Sequence, residues 1–281
     1  MSAGHNTRLG IVLMVGTTFV FAVQDGLSLH LSSTYNVYMV VMVRYWFFAA
    51  FVITISAKQV GGIRNAARTH QPYLQGFRGV LLATEICVMV TGFTYLGLVE
   101  SLAIFSSYTL IVAAMSGPIL GEIVGLRRWM AIFAGLCGVL IILKPGMGVF
   151  SVYAIIPLIA ASMFALYSLL TRYVARQDST ATSFFWTGVT GCIVMTFVGM
   201  FHLEDMIPAD WLLMLCLCFT GATGHWLLIR CYEVAEASAV QPFTYLQLVF
   251  GAAIGVMVFG EVIETNVAVG AVLVVAAGLF T

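Results

Sequence analysis

Charge is what this sequence has least of. Asp, Glu, Lys and Arg together make up 9% of its 281 residues, whereas a soluble domain carries roughly 25%. With 61% of the residues hydrophobic, an aqueous fold could not hide the apolar surface, and a water-soluble domain is excluded. The formal net charge is +0, so there is no electrostatic footprint for nucleic acid or acidic partners. Also missing are segments of about ten residues alternating apolar with polar, the mark of a membrane β-barrel.

The motifs of enzymes are equally absent. There is no HExxH zinc helix, no phosphate-cradling Gly-rich loop, no GxSxG elbow and no pair of aspartates facing one another on two spans. Sizeable polar loops, which enzymes acting on lipid-linked substrates tend to carry, are lacking too. An intramembrane enzyme stays only as an alternative, and no cofactor, metal or catalytic residue is expected. Cys87, Cys137, Cys192, Cys216, Cys218 and Cys231 lie inside apolar runs without metal-type spacing, so they read as packing residues, with no disulfide expected. The opening MSAGHNTR is short and polar and the first apolar run lacks a small-x-small cleavage site; that run is expected to stay as the first span.

What is present is a series of apolar runs near the length that crosses a bilayer, roughly 20 residues at about 1.5 Å each. Ten are read, at 9–30, 35–56, 76–97, 102–123, 129–143, 152–173, 181–201, 211–232, 239–259 and 267–280, with 58–73 the longest connection. With the first residues in the cytoplasm, Arg8, Lys58, Arg64, Arg68, Arg127, Arg128, Arg172, Arg176 and Arg230 fall on inner loops and flanks, and only Lys144 falls outside. That asymmetry puts both termini on the cytoplasmic side.

Residues 95–138 are echoed by 232–278. Tyr95, Ser101 and Tyr108 fall on Tyr232, Ser238 and Tyr245 at one offset, and Gly121-Glu122 falls on Gly260-Glu261 after a two-residue slip. Phe21-Ala22-Val23-Gln24 likewise aligns with Phe164-Ala165-Leu166-Tyr167. Five spans per half is an odd number, so the second copy must enter the membrane from the opposite side. The expected fold is an all-α polytopic membrane protein, ten transmembrane helices as two inverted five-helix repeats, 1–146 and 147–281, in one membrane unit. Inverted repeats meeting near the midplane are the architecture of alternating-access carriers.

At Gly121-Glu122 followed by Arg127-Arg128-Trp129, Gly135 and Gly138, and again at Gly260-Glu261 followed by Gly270 and Gly278, the chain resembles the drug/metabolite transporter superfamily, in particular its ten-helix EamA-type carriers. The resemblance runs from Leu9 to Phe280 and is most like bacterial exporters of amino acids and related metabolites. It implies a cell inner membrane location and a central cavity lined by spans one, three, four, six, eight and nine, with the others peripheral. Amino acids or similar small metabolites are then the expected solutes, membrane lipid the surroundings, and a monomer the simplest assembly. A carrier of drugs, toxic cations or other metabolites is the alternative within the fold.

Ionisable groups in lipid need a partner or a watery cavity. Glu85 sits roughly 14 Å into span three by helical rise; it reads as a cavity carboxylate that meets a substrate amine or takes a proton, or else as a structural partner of Arg44. Asp25 is an alternative partner for Arg44, and Arg78, near the inner end of span three, is expected to snorkel. Tyr108, Tyr245, Gln247, Gln24 and Tyr167 supply hydroxyls, amides and flat apolar walls suited to a broad solute pocket, unless the tyrosines merely satisfy their hydroxyls between helices. His225 and Trp226 on span eight are further candidates, with plain packing the alternative. Pro118, Gly121, Gly251 and Gly255 give two small-residue, interrupted helices that suit a hinge, or equally close packing.

Overall fold

Lipid offers no partners for backbone N–H and C=O groups, so apolar segments must satisfy them internally, as helices. The computed structural model describes residues 7–58, 62–121, 125–143, 152–235 and 241–280, and over these it is helical throughout, without a strand. The helices are α1 (Thr7–Thr34), α2 (Val37–Lys58), α3 (Gly62–Ala67), α4 (Pro72–Leu96), α5 (Leu98–Phe105), α6 (Tyr108–Leu120), α7 (Leu126–Leu143), α8 (Ile155–Val174), α9 (Thr180–Gly199), α10 (Pro208–Val234), α11 (Leu246–Phe259) and α12 (Thr265–Phe280). Seven stretches are long and apolar enough to cross a membrane, with Leu98–Leu120 counted as one, and Trp129–Ile142, Phe243–Phe259 and Thr265–Ala277 are shorter apolar helices. Glu122, Lys144 and Ser238, which the sequence reading used, lie outside the described residues.

Helix ends follow local chemistry. Pro72 and Pro208 open α4 and α10, where a missing N–H costs nothing. The Ser179 hydroxyl accepts the Thr182 N–H at 3.1 Å to cap α9. Gly121 and Gly260 close α6 and α11 at φ of 75° and 68°, a left-handed conformation that other residues adopt at a cost. The long connection between α2 and α4 holds the short α3, which the sequence reading left as loop.

The fourth span differs from the continuous helix expected at 102–123. It begins earlier, at Leu98, and tightens at Ser106 and Ser107, where the Ser107 N–H reaches back to Ile104 at 3.1 Å, a 3₁₀-like step between α5 and α6. A 3₁₀ turn over Gln241–Tyr245 leads into α11. The two irregularities fall at positions that the internal echo aligns.

Helices from the two halves of the chain interleave. α1 packs along α10, α4 along α8, α2 along α9 and α7 along α12, while α1 also meets α11 and α6 meets α8. The largest apolar cluster joins α2, α9 and α10 through Tyr45, Phe48, Phe185, Met195, Met214 and Leu217. α7 and α12 meet through glycine: a Cβ on Gly270 would lie 2.6 Å from the Gly138 carbonyl oxygen, so only bare backbone allows this approach. Large apolar side chains such as Phe133, Phe197, Met257 and Val262 face outward, which suits lipid and not water.

Candidate functional site

Gln24 and Asp25 are neighbours near the middle of α1, and each turns to a different helix. The Gln24 side-chain oxygen accepts from Arg44 Nη2 of α2 at 3.1 Å. The Asp25 carboxylate accepts from Gln247 Nε2 of α11 at 2.7 Å. Both α1 residues are buried, and the pair stitches together helices of both halves.

On the Arg44 side lies a cavity of about 10 Å³ lined by Arg44, Phe48, Ile86, Cys218, Gly221 and His225 among others. Glu85, buried at 4% exposure, makes no hydrogen bond or close ion pair among the described residues. Arg44 acts on it and on Asp25 through space. Neither Glu85 nor Asp25 forms the direct ion pair with Arg44 that the sequence reading allowed. α2, expected at the periphery, supplies part of this wall, because Arg44, Tyr45 and Phe48 share its inward stripe. His225 belongs here too, with its ring 5.3 Å from Phe21 and 5.8 Å from Phe48.

On the Gln247 side a second cavity, of about 20 Å³, is lined by Phe105, Ser106, Tyr108, Thr109, Tyr245 and Gln247 among others. The Tyr245 and Thr109 hydroxyls are hydrogen-bonded across it. From Tyr108 an aromatic ladder runs along α8: Tyr108 to Phe164 at 5.0 Å edge to face, and Phe164 to Tyr167 at 5.9 Å. Such faces and edges bind planar rings through the same quadrupole geometry that pairs them with one another. Since one water needs roughly 10–15 Å³ by this measure, neither cavity holds an organic solute in this arrangement.

Polar networks also tie helix ends together at two places away from these cavities. At the α8–α9 loop, the Asp178 carboxylate accepts from the Thr69 hydroxyl, from the His70 N–H at 3.0 Å and from Gln75 Nε2 at 2.8 Å. Burial alone would raise the Asp178 pKa, but these donors prevail and hold it below the ordinary carboxylate value. Gln75 in turn accepts from Arg78. Arg78 is 1% exposed, so it does not snorkel as expected: its Nε and Nη2 donate to Thr171 at 3.1 and 2.9 Å, and its guanidinium lies 5.1 Å from the Tyr167 ring centre. At the other place, Tyr35 donates to Asp210 at 2.7 Å and accepts from the Ile207 N–H at 3.2 Å, while Glu204 accepts the Asn36 N–H at 2.9 Å. The Asp210 carboxylate keeps the Tyr35 hydroxyl protonated above its usual range.

Of the residues singled out in the sequence, Gln24, Tyr108, Tyr167, His225, Tyr245 and Gln247 thus border or adjoin the two cavities and the ladder, and Glu85 lies buried beside the first. Trp226 does not. One residue is about 100° of helix rotation, so with His225 facing inward Trp226 turns out, 46% exposed. Gly251 and Gly255 are buried against α5, where a Cβ would come 2.2 Å from Leu102 and 2.6 Å from Val99; Pro118 lies inside α6 and Gly121 at its end. Thr171, Gln75 and Asp178 were missed, though Gln75 and Arg78 share a helix face at i, i+3 spacing.

The sequence profile of the EamA-like transporter family matches residues 8–144 and again residues 151–281. The chain belongs to the EamA-like transporter family. Its curated relatives are transporters: a riboflavin transporter of Vibrio cholerae, 26% identical over 98% of this chain and 93% of that protein; an S-adenosylmethionine uptake transporter of Rickettsia prowazekii, 23% identical over 96% and 91%; and a pseudopaline exporter of Pseudomonas aeruginosa, 24% identical over 96% and 94%. A solved crystal structure shares the fold, with a TM-score of 0.62 at 16% identity over 96% of this chain and 95% of that one. This EamA-like transporter is therefore a multi-pass membrane carrier of small molecules and not an enzyme. The names of these relatives do not specify amino acid export.

Proposed function

We propose that the chain is an alternating-access carrier of a small metabolite with a planar heteroaromatic ring and a polar tail, and that the ladder and cavities between α1, α2, α4, α5, α6, α8, α10 and α11 are its solute chamber. The observation that carries this is the aromatic ladder of Tyr108, Phe164 and Tyr167 leading into a cavity edged by Tyr245, Thr109 and Gln247. Rings stack on the ladder, and the hydroxyls and amide hold the tail. Riboflavin and S-adenosylmethionine, named for two of the relatives, both have that build.

The reading includes ten crossings as two inverted five-helix repeats, 1–146 and 147–281, an arrangement suited to alternating access. In favour stand the double match of the family profile, the seven long and three shorter apolar helices, and the interlocked packing of the halves. Both termini are assigned to the cytoplasmic side of the inner membrane, because the Arg- and Lys-bearing helix ends gather on one face; Arg176 donates to the Leu120 carbonyl at 3.0 Å, joining two such ends. Pro118, Gly121, Gly251 and Gly255 are assigned to the moving fourth and ninth spans.

A second reading, an amino acid or other zwitterion, is favoured by Arg44 and Glu85, which put both charges in the same buried region. Equilibrium binding to the purified protein separates the two. Riboflavin, S-adenosylmethionine, a neutral amino acid and a cationic dye are titrated in turn, and a ring-bearing metabolite is expected to bind and to lose about tenfold in affinity in Tyr108→Ala. Tight binding of the amino acid alone, indifferent to Tyr108, sinks the heteroaromatic reading.

A further inference from the structure

Arg78 is among the largest fully buried side chains, yet among the described residues it meets no carboxylate directly. A buried cation is expensive in lipid unless its donors are placed, and here they are split between two destinations. One edge of the guanidinium rests on Thr171 of α8. The other donates to Gln75, whose amide passes the interaction on to Asp178 at 2.8 Å and to Ser183 at 3.1 Å. The same group lies over the ring of Tyr167, the end of the aromatic ladder, 5.1 Å from its centre. One side chain thus touches the chamber wall with its face and the closure of α4 against the α8–α9 loop with its edge.

We propose that Arg78 is the positioning residue that ties the solute chamber to the Asp178 latch, so that seating a solute against Tyr167 loosens that latch and opens its face. This rests on the carrier reading above. The second cavity, of about 20 Å³, is too small for a ring, so a ring entering the ladder must push Phe164 or Tyr167 aside. Displacing Tyr167 removes the platform that holds the guanidinium flat. Arg78 is then free to shift off Gln75, and Gln75 is the sole described bridge between that cation and the Asp178 carboxylate. Arginine suits this role because its rigid planar fork fixes the direction of its donors and can lie over an aromatic ring, whereas lysine is a compact point charge on a flexible stem. Asp178 with Thr69, His70 and Gln75, joined in this structure, is the element whose parting such coupling requires.

The test has two arms, both in proteoliposomes with radiolabelled riboflavin and S-adenosylmethionine as probes. In a chain freed of its native cysteines, Thr69→Cys with Asp178→Cys places two thiols at touching positions, so oxidation joins the latch covalently. Oxidised protein is expected to lose about tenfold or more of its counterflow and to regain it on reduction; equal flux in both states overturns the proposal. In the native background, Arg78→Gln is expected to bind the probe within about threefold of wild type while saturated flux falls about tenfold, and Arg78→Lys is expected to stay equally slow. Equal losses of binding and flux would make Arg78 part of the solute pocket, and rescue by lysine would make charge the only requirement; either result, or unchanged flux in Arg78→Gln, overturns the coupling. A wild-type protein that moves neither probe fails the solute reading first, and the proposal with it.

Discussion

The Glu261 carboxylate caps α5 from the far half of the chain, accepting the backbone N–H of Leu98 at 2.6 Å and of Val99 at 2.8 Å. Gly260 ends α11 in the left-handed conformation, which turns the chain so that its successor can reach across. The Gly-Glu pair read in the sequence therefore has a physical task. It supplies acceptors to the orphan donors at the N-terminus of α5.

Removing that cap is expected to destabilise the fold. Glu261→Ala leaves two N–H groups without partners and should cost about 1–3 kcal/mol, read as a lower thermal midpoint in detergent. Glu261→Gln keeps one acceptor and should fall between. A midpoint equal to wild type in both variants contradicts the cap.

The contact of α7 with α12 is expected to tolerate no side chain. Gly270→Val forces a Cβ against the Gly138 carbonyl oxygen and Ile142, and overpacking of this kind costs about 1–3 kcal/mol. Gly76→Val, at a position with open space, serves as the control for glycine replacement within a helix. Similar losses in both would remove the close-approach explanation.

Asp178 should make the stability of its latch depend on pH. Its pKa is lowered in the folded chain from an ordinary value of 3.8, so its contribution is complete above that value and is lost as pH falls through the lower folded one. Asp178→Asn is expected to melt earlier at neutral pH, with the gap closing as the pH drops below about 4. A gap that is constant with pH would show that the charge is irrelevant.

Motion at the fourth span is tested by Pro118→Ala. If the interrupted helix bends during transport, flux should fall while expression and thermal midpoint hold or rise, since alanine restores a helical donor. Parallel loss of flux and expression would assign Pro118 to packing.

The position of most long helices was legible because span length is set by lipid thickness. α2, α10 and α12 begin or end within a few residues of the apolar runs. The Gly-Glu junctions were legible as a repeated motif, though not the partner that Glu261 finds about 160 residues away. Facing was not legible. These helices are apolar on all sides, so nothing in sequence distinguished His225, turned inward, from Trp226, turned out. Arg78 was misread for a related reason. Its place near a span end suits snorkelling, and only the fold brings up Thr171 and the Asp178 network to satisfy it. The tightening at Ser106 and Ser107 left no signal, because both residues keep right-handed helical angles and no proline or glycine marks the site.

Counterflow in sealed vesicles tests the carrier most directly. Purified protein is reconstituted, vesicles are loaded with unlabelled riboflavin or S-adenosylmethionine, and entry of the labelled solute is followed against empty vesicles. A carrier whose chamber opens to one face at a time is expected to show saturable entry that internal solute accelerates. Entry that rises linearly with concentration and ignores internal solute would contradict alternating access through this chamber.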